Sequence, residues 1–316
     1  MDTNFVGVDV SKHRLDVHVA STAAAFAVPR NDAGLAELTR RLAELPGPVV
    51  VLEATGGFEN VVTAHLAAAG VAVVRVNPAQ VRAFARALGQ RAKTDAIDAA
   101  LIARFAHATR PEQRALPDEE TRLLADLVAR RRQILEMMVA ERLRRQHQAN
   151  PRLRRSIDRL LAALEKELAE IDTTLDDTIG GHPVWQAQEA LLTSVPGVGP
   201  ATARTLLAEL PELGRLNRHE VAALAGLAPW TRQSGQWRGK SQIGGGRAGV
   251  RCALFLAAMA ASRHNPPLRA FRDRLVAAGK PRMVAIIAVA RKLLVVLNAV
   301  IRSGQAWRED HATAST

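Results

Sequence analysis

Two short apolar runs open the chain, 5–10 (FVGVDV) and 15–20 (LDVHVA), both rich in β-formers. Ala25–Pro29 adds a third short strand. Asn31-Asp32 then caps a helical stretch, GLAELTRRLAEL, with leucines at helical spacing, and Gly47-Pro48 ends it. Val49–Glu53 (VVVLE) is an apolar run of the buried-strand type. Thr55-Gly56-Gly57 turns into a second helix over about 58–69, Val71–Val76 returns to strand, and Pro78 opens a further helix. Residues 95–107 (DAIDAALIARFAH) predict another. The order β-β-β-α-β-α-β-α puts hairpin strands first and crossovers later, so the expectation is a mixed sheet with helices on its faces.

The pattern changes over 118–177, which is Arg/Glu-rich. Leu124, Leu127, Ile134, Leu135 and Met138 mark one half, and Ile157, Leu160, Leu164, Leu168, Ile171 and Leu175 mark the other at steps of three and four. Asn150-Pro151 separates the halves. This predicts an antiparallel helical hairpin, either a solvated spacer or a dimerisation arm. From 178 onward the chain is helical with Gly-rich interruptions. The expected organisation is an α/β domain over 1–112, a helical arm over 113–180 and an all-α domain over 181–316.

Charge adds a partner. The 316 residues carry 43 Lys+Arg against 31 Asp+Glu, a formal +12, which points to a polyanion, most often nucleic acid. Residues from 178 onward hold 18 of the bases and only 7 of the acids, so nearly all the excess lies there. Nucleic-acid contact is expected in that part, shared with the arm's clusters Arg130-Arg131-Arg132 and Arg152/Arg154/Arg155. There is no tyrosine, which excludes every mechanism with a tyrosine nucleophile. Cys252 is the single cysteine, so neither a disulfide framework nor a Cys-rich zinc site is possible, and it reads as a packing residue. The histidines show no metal-ligand spacing. The first residues lack the basic start and unbroken apolar core of a signal peptide. Arg291 and Lys292 split the longest apolar region, Met283–Ile301, into halves too short to span a bilayer. A buried or interface helix in a cytoplasmic, nucleoid-associated protein is expected there, with no membrane partner.

Four acids stand out. Asp9 sits within an apolar strand, where a carboxylate costs several kcal/mol unless it is paired or metal-bound. Glu53 ends a second such strand, and Asp95 and Asp98 share one face at a helix start. If the first and fourth strands are parallel neighbours, Asp9 and Glu53 lie side by side with the Asp95/Asp98 helix packed across the sheet. Two Mg²⁺ ions about 4 Å apart would neutralise such a cluster and clamp a phosphodiester. Plainer readings remain open: Asp95 and Asp98 as dipole-stabilised first-turn acids, Glu53 as a surface residue, and Asp16 or Glu59 in place of one of the four.

Two stretches of the basic part carry candidate chemistry. LTSVPGVGPATARTLLAEL (192–210) has the form of a helix-hairpin-helix. There Gly197 and Gly199 would let backbone N–H groups approach a phosphate at a helix N-terminus. An ordinary helical corner is the alternative. In 223–258, Ser234-Gly235 lies in a loop flanked by Arg232, Arg238 and Lys240, and Ser241 precedes the Gly244–Gly246 run and Arg247. An arginine-surrounded serine is a candidate nucleophile on phosphorus, with the guanidinium groups taking up developing phosphoryl charge. Serines in polar loops are also ordinary turn residues. Trp230 and Trp237 flank Ser234 and either stack on a base or sugar or anchor the loop.

The segments GVDVSK (7–12), VVLEATGG (50–57) and KTDAIDAALIARFA (93–106), in this order, resemble the insertion sequence 110 family of DEDD transposases. The likeness spans nearly the whole chain and is weakest in the arm. It implies an RNase H-like (RuvC-like) α/β domain followed by a helical transposase domain, and it maps the family's acidic tetrad onto Asp9, Glu53, Asp95 and Asp98. It implies Mg²⁺ (or Mn²⁺) on that tetrad. It also implies a serine that links covalently to DNA, matched by Ser234 with Ser241 as the alternative, because QSGQW and GGGR depart from the commoner family spelling. Further implied partners are element and target DNA, a structured guide RNA encoded by the element, and other copies of the chain in a dimer or tetramer. The active site would be completed within one protomer or between two. The competing reading is a Mg²⁺-dependent nuclease of the Holliday-junction-resolvase type in which water attacks. A non-catalytic nucleic-acid binder is the third.

Overall fold

The computed structural model describes residues 4–54, 56–90, 95–113, 118–231, 233–235, 237–239 and 241–308, with backbone alone at 95, 96, 237 and 238. The chain forms two compact units, Met1–Leu116 and Pro117–Thr316.

The first unit runs β1 (Asn4–Val10), β2 (Arg14–Val19), β3 (Ala25–Pro29), α1 (Asp32–Ala43), β4 (Pro48–Glu53), α2 (Phe58–Ala68), β5 (Ala72–Val76), α3 (Pro78–Ala87) and α4 (Asp95–Thr109). The sheet order is β3-β2-β1-β4-β5. The β1–β2 and β2–β3 pairs are antiparallel, and β1–β4 and β4–β5 are parallel. This is the mixed sheet the pattern predicts, with β1 and β4 as parallel neighbours. The helix starts follow local chemistry: the Asn31 side chain accepts a hydrogen bond from Gly34 N at 3.0 Å, and Asn77 caps α3 ahead of Pro78.

Strand alternation sends two residue sets to opposite faces. Val6, Val8, Val10, Leu15, Val17, Val19, Val50 and Leu52 pack with Leu35, Leu38 and Leu42 of α1 and Val62 and Leu66 of α2. Phe5, Val51, Val74 and Val76 pack with Val81 of α3 and with Leu101, Ile102 and Phe105 of α4. On this second face α4 presses directly on β1. A Cβ at Gly7 would collide with the Ala99 carbonyl oxygen and lie 2.5 Å from Ala103 N. Backbone meets backbone there, and neither can yield. Gly7→Ala is therefore expected to lower stability by about 1–3 kcal/mol through overpacking, read as a fall in the thermal midpoint. An unchanged midpoint would mean that α4 does not sit this close.

The second unit contains α5 (Glu119–His147), α6 (Pro151–Gly180), α7 (Pro183–Thr193), α8 (Pro200–Glu209), α9 (Arg218–Leu224), β6 (Gln233–Ser234), β7 (Trp237–Arg238), α10 (Ala248–His264), α11 (Pro266–Ala277) and α12 (Arg282–Ser303). Helices α5 and α6 form the expected hairpin, capped at the turn by Asn150. Ile134, Met138 and Leu161 zip the hairpin together. At its base, Leu124, Val128, Leu175 and Ile179 share a cluster with Ala208 of α8, which joins the arm to the helices that follow.

Helix α12 is long and apolar enough to cross a membrane by length and composition, yet half of its apolar window is buried within the unit. Val289, Leu293, Leu294, Leu297 and Val300 meet α7–α10 in the largest cluster. Buried Asn298 interrupts the apolar run and holds the connection before α9. Its Oδ1 accepts from Gly214 N at 2.7 Å, and its Nδ2 donates to Leu216 O at 2.9 Å, which satisfies two backbone groups of the connection before α9.

Candidate active site

Asp9 follows Phe5 and Gly7 along β1 at two-residue steps, so it shares their α4-covered face. The parallel register pairs Val8 with Leu52, so Asp9 and Glu53 are the next neighbours on adjacent strands, on the same face. Asp98 immediately precedes Ala99, whose carbonyl packs over Gly7. The first turn of α4 therefore lies at the sheet end where β1 and β4 finish. Strand order and one glycine contact thus bring Asp9, Glu53 and Asp98 to one region. The Asp95 side chain lies outside the described residues.

Asp16, an alternative at the level of sequence, stands directly opposite Asp9 in the β1–β2 ladder. It is 3% exposed. Arg14 Nη2 donates to its Oδ1 at 2.6 Å, while Oδ2 is buried without a hydrogen-bond partner among the described residues. Carboxylates facing each other across a ladder destabilise a sheet unless cations compensate. Arg14 supplies one. Glu59, the other alternative, is occupied locally: its Oε2 accepts from Gly57 N at 2.8 Å and caps the start of α2.

The all-oxygen donor set suits a hard divalent ion, and the orphaned Asp16 oxygen marks a charge deficit in the same patch. Among the described residues, no group of three or more His, Cys, Asp or Glu side chains is placed to hold a metal ion.

The serine candidate lies on a small hairpin in the second unit. Trp230 and Gln242 form an isolated bridge at its base, with Trp230 N donating to Gln242 O at 2.6 Å and Gln242 N to Trp230 O at 3.1 Å. Strands β6 and β7 pair Ser234 with Trp237 at the tip, and Gly235 adopts φ +56°, the left-handed region that favours glycine. Ser234 is exposed at that turn. Ser241 is exposed too, but adjoins the bridged base. Trp230 is 59% exposed, so it does not anchor the loop in the core and its face is open to a ligand. Arg232, Lys240 and the Arg238 side chain lie outside the described residues.

The other candidate contacts each have defined surroundings in the second unit. Arg247 Nη1 and Nη2 donate to the two Glu212 oxygens at 2.5 and 2.7 Å, so this guanidinium fork clamps the start of α10 to the 210–217 connection. Gly197 has φ +101° and faces inward, with an added Cβ falling 2.5 Å from Ala261 Cα of α10. Its small size serves packing. Gly199 is exposed at the N-cap of α8, and a Cβ there would meet nothing within 4 Å. Along the arm, Arg130, Arg131 and Arg132 pair with Glu167, Asp172 and Glu209.

The comparisons put this pairing of a mixed-sheet unit with a basic helical unit in the class of DNA-recombining enzymes. A DEDD-type IS110 transposase model matches residues 6–154, and a model described as transposase IS116/IS110/IS902 family matches 189–273. The chain belongs to the IS110 family of transposases. It is 29% identical over 316 residues to the pilin gene-inverting proteins of Moraxella lacunata and Moraxella bovis, covering 96% of this chain and 98% of each relative. It is also 32% identical over 146 residues to the insertion element IS110 uncharacterized 43.6 kDa protein of Streptomyces coelicolor, spanning 46% of this chain and 35% of that protein.

Proposed function

We propose that this transposase exchanges DNA strands through a covalent serine–DNA intermediate, with Ser234 as nucleophile and Asp9, Glu53, Asp95 and Asp98 as the metal-holding acids. The observation that carries the reading is the shared register and face of Asp9 and Glu53 at the sheet end where the first turn of α4 carries Asp98. Mg²⁺ (or Mn²⁺) held there would neutralise the acids and polarise the scissile phosphate. The Ser234 hydroxyl gives up its proton, and Oγ bonds to phosphorus as the bond to the adjacent deoxyribose oxygen breaks. That oxygen leaves with a proton. Attack by the hydroxyl of a second strand reverses the sequence and frees the serine, so one phosphodiester is exchanged for another without an outside energy source. Placement at a hairpin tip favours Ser234 over Ser241, which adjoins the hairpin base.

The sheet order fits an RNase H-like (RuvC-like) domain, and α7, the 194–199 turn and α8 fit a helix-hairpin-helix that presents Gly199 to a phosphate. The Moraxella relatives are named for inverting a gene, and inversion requires rejoining as well as cleavage. A structured guide RNA agrees with the +12 charge and the family resemblance. Assembly as a dimer or tetramer through the α5/α6 arm, and work on element and target DNA in the cytoplasm, complete the proposal. The deciding experiment incubates the protein with element DNA, its RNA and Mg²⁺ and resolves protein-linked DNA on a denaturing gel. An adduct supports the proposal, while cleavage without one replaces it with the water-using nuclease.

A further inference from the structure

A cleft of about 410 Å³ in the second unit is lined by Arg218 and His219 of α9, Phe271 of α11, and Ala288, Arg291, Lys292 and Val295 of α12. The α12 residues recur at steps of three and four, which puts them on one helix face. Among the described residues, no carboxylate lines this cleft. Arg274, one turn after Phe271, adds a further cation: its guanidinium carbon lies 5.4 Å from the Phe271 ring centroid, and Lys292 Nζ lies 4.9 Å from it.

Most arginines with partners in this unit are neutralised by acids, as Arg131 is by Asp172, Arg204 by Asp176 and Glu189, Arg247 by Glu212 and Arg272 by Asp273. Arg218, Arg274, Arg291 and Lys292 have no ion-pair partner among the described residues. Arg218 Nε instead donates to the His219 ring at 3.4 Å. Burial, and then the nearby Arg274 charge, hold the Lys292 ammonium below its ordinary range. Cations gathered without acids repel one another, and a bound polyanion relieves that repulsion.

We infer that this cleft seats backbone phosphates of a nucleic-acid strand. Arg274 and Lys292 both lie against the Phe271 ring, so charge rather than a stacking platform dominates the site. It therefore holds a strand irrespective of sequence. The cations are distributed over three helices, which suits successive phosphates along a strand better than one small anion. The inference is independent of the serine and metal chemistry, because binding requires neither.

The test uses the full chain in EDTA with a fluorescein-labelled oligothymidylate and a labelled duplex, each about 20 units long, read by anisotropy across a salt series. Arg218→Ala/Arg274→Ala removes charge from the cleft with little disturbance of the core, and Arg291→Ala/Lys292→Ala tests the α12 side. Circular dichroism checks folding, and the first pair decides if the second fails to fold. The expected result is affinity weaker by about tenfold or more near physiological salt, with the slope of log K against log salt shallower by roughly 1–2. Unchanged affinity and slope would overturn the inference. It would equally fall if inorganic phosphate raised the melting temperature of wild type but not of the variants while strand affinity stayed the same, because the cleft would then be a small-anion site.

Discussion

Ser234→Ala should leave a folded, DNA-binding protein that forms no covalent adduct and exchanges strands slower by a factor on the order of 10⁴ or more. The size follows from the role. A nucleophile cannot be replaced by its neighbours, since a methyl group offers no lone pair to phosphorus. Folding should be spared, because Ser234 is exposed at a two-stranded tip and its backbone pairing with Trp237 survives the change. A surface substitution of this kind stays within about 0.5 kcal/mol. Ser241→Ala is the paired measurement. An adduct lost with Ser241→Ala and retained with Ser234→Ala would move the nucleophile to the hairpin base. Cleavage by both variants at the wild-type rate, without adduct, would mean that water attacks.

Asp9→Asn should be nearly as damaging, with strand exchange falling by about 10³-fold or more and divalent-ion affinity falling with it. Asparagine keeps the shape and one oxygen but removes the charge. Because Asp9 stands across the ladder from Asp16, the same change relieves a like-charge pair. The protein should stay folded while activity disappears, so that the loss is traced to the site. Mn²⁺ titration calorimetry on wild type and variant, beside a denaturation curve for each, separates the two effects. Near-wild-type exchange by Asp9→Asn would remove the acid cluster from the mechanism.

Much of the fold was legible because its signals are local. Ala25–Pro29 is observed with the expected bounds, and the helices after Asn31, Gly57 and Asn77 start where capping chemistry places them. The arm was legible from leucines at helical spacing. Ion pairing was not legible from local charge. Arg247 and Arg130–Arg132 read as nucleic-acid contacts, yet carboxylates remote in sequence take them up, Glu209 and Glu212 among them. Arg218 and Lys292 are separated by more than 70 residues, and nothing in their local spelling marks them as neighbours in a cleft.

The sequence by itself determined the strands and helices, the basic balance, the lack of any tyrosine nucleophile and the motifs that point to the family. Such properties depend on a residue's near neighbours or on simple counting. Tertiary structure alone decided that Gly7 admits α4 to the sheet, that Asp16 faces Asp9, that Gly197 turns inward, and which cations, among the described residues, pair with an acid. Those outcomes depend on register and packing between distant segments, where a contact is set by geometry in space and leaves no periodic trace along the chain.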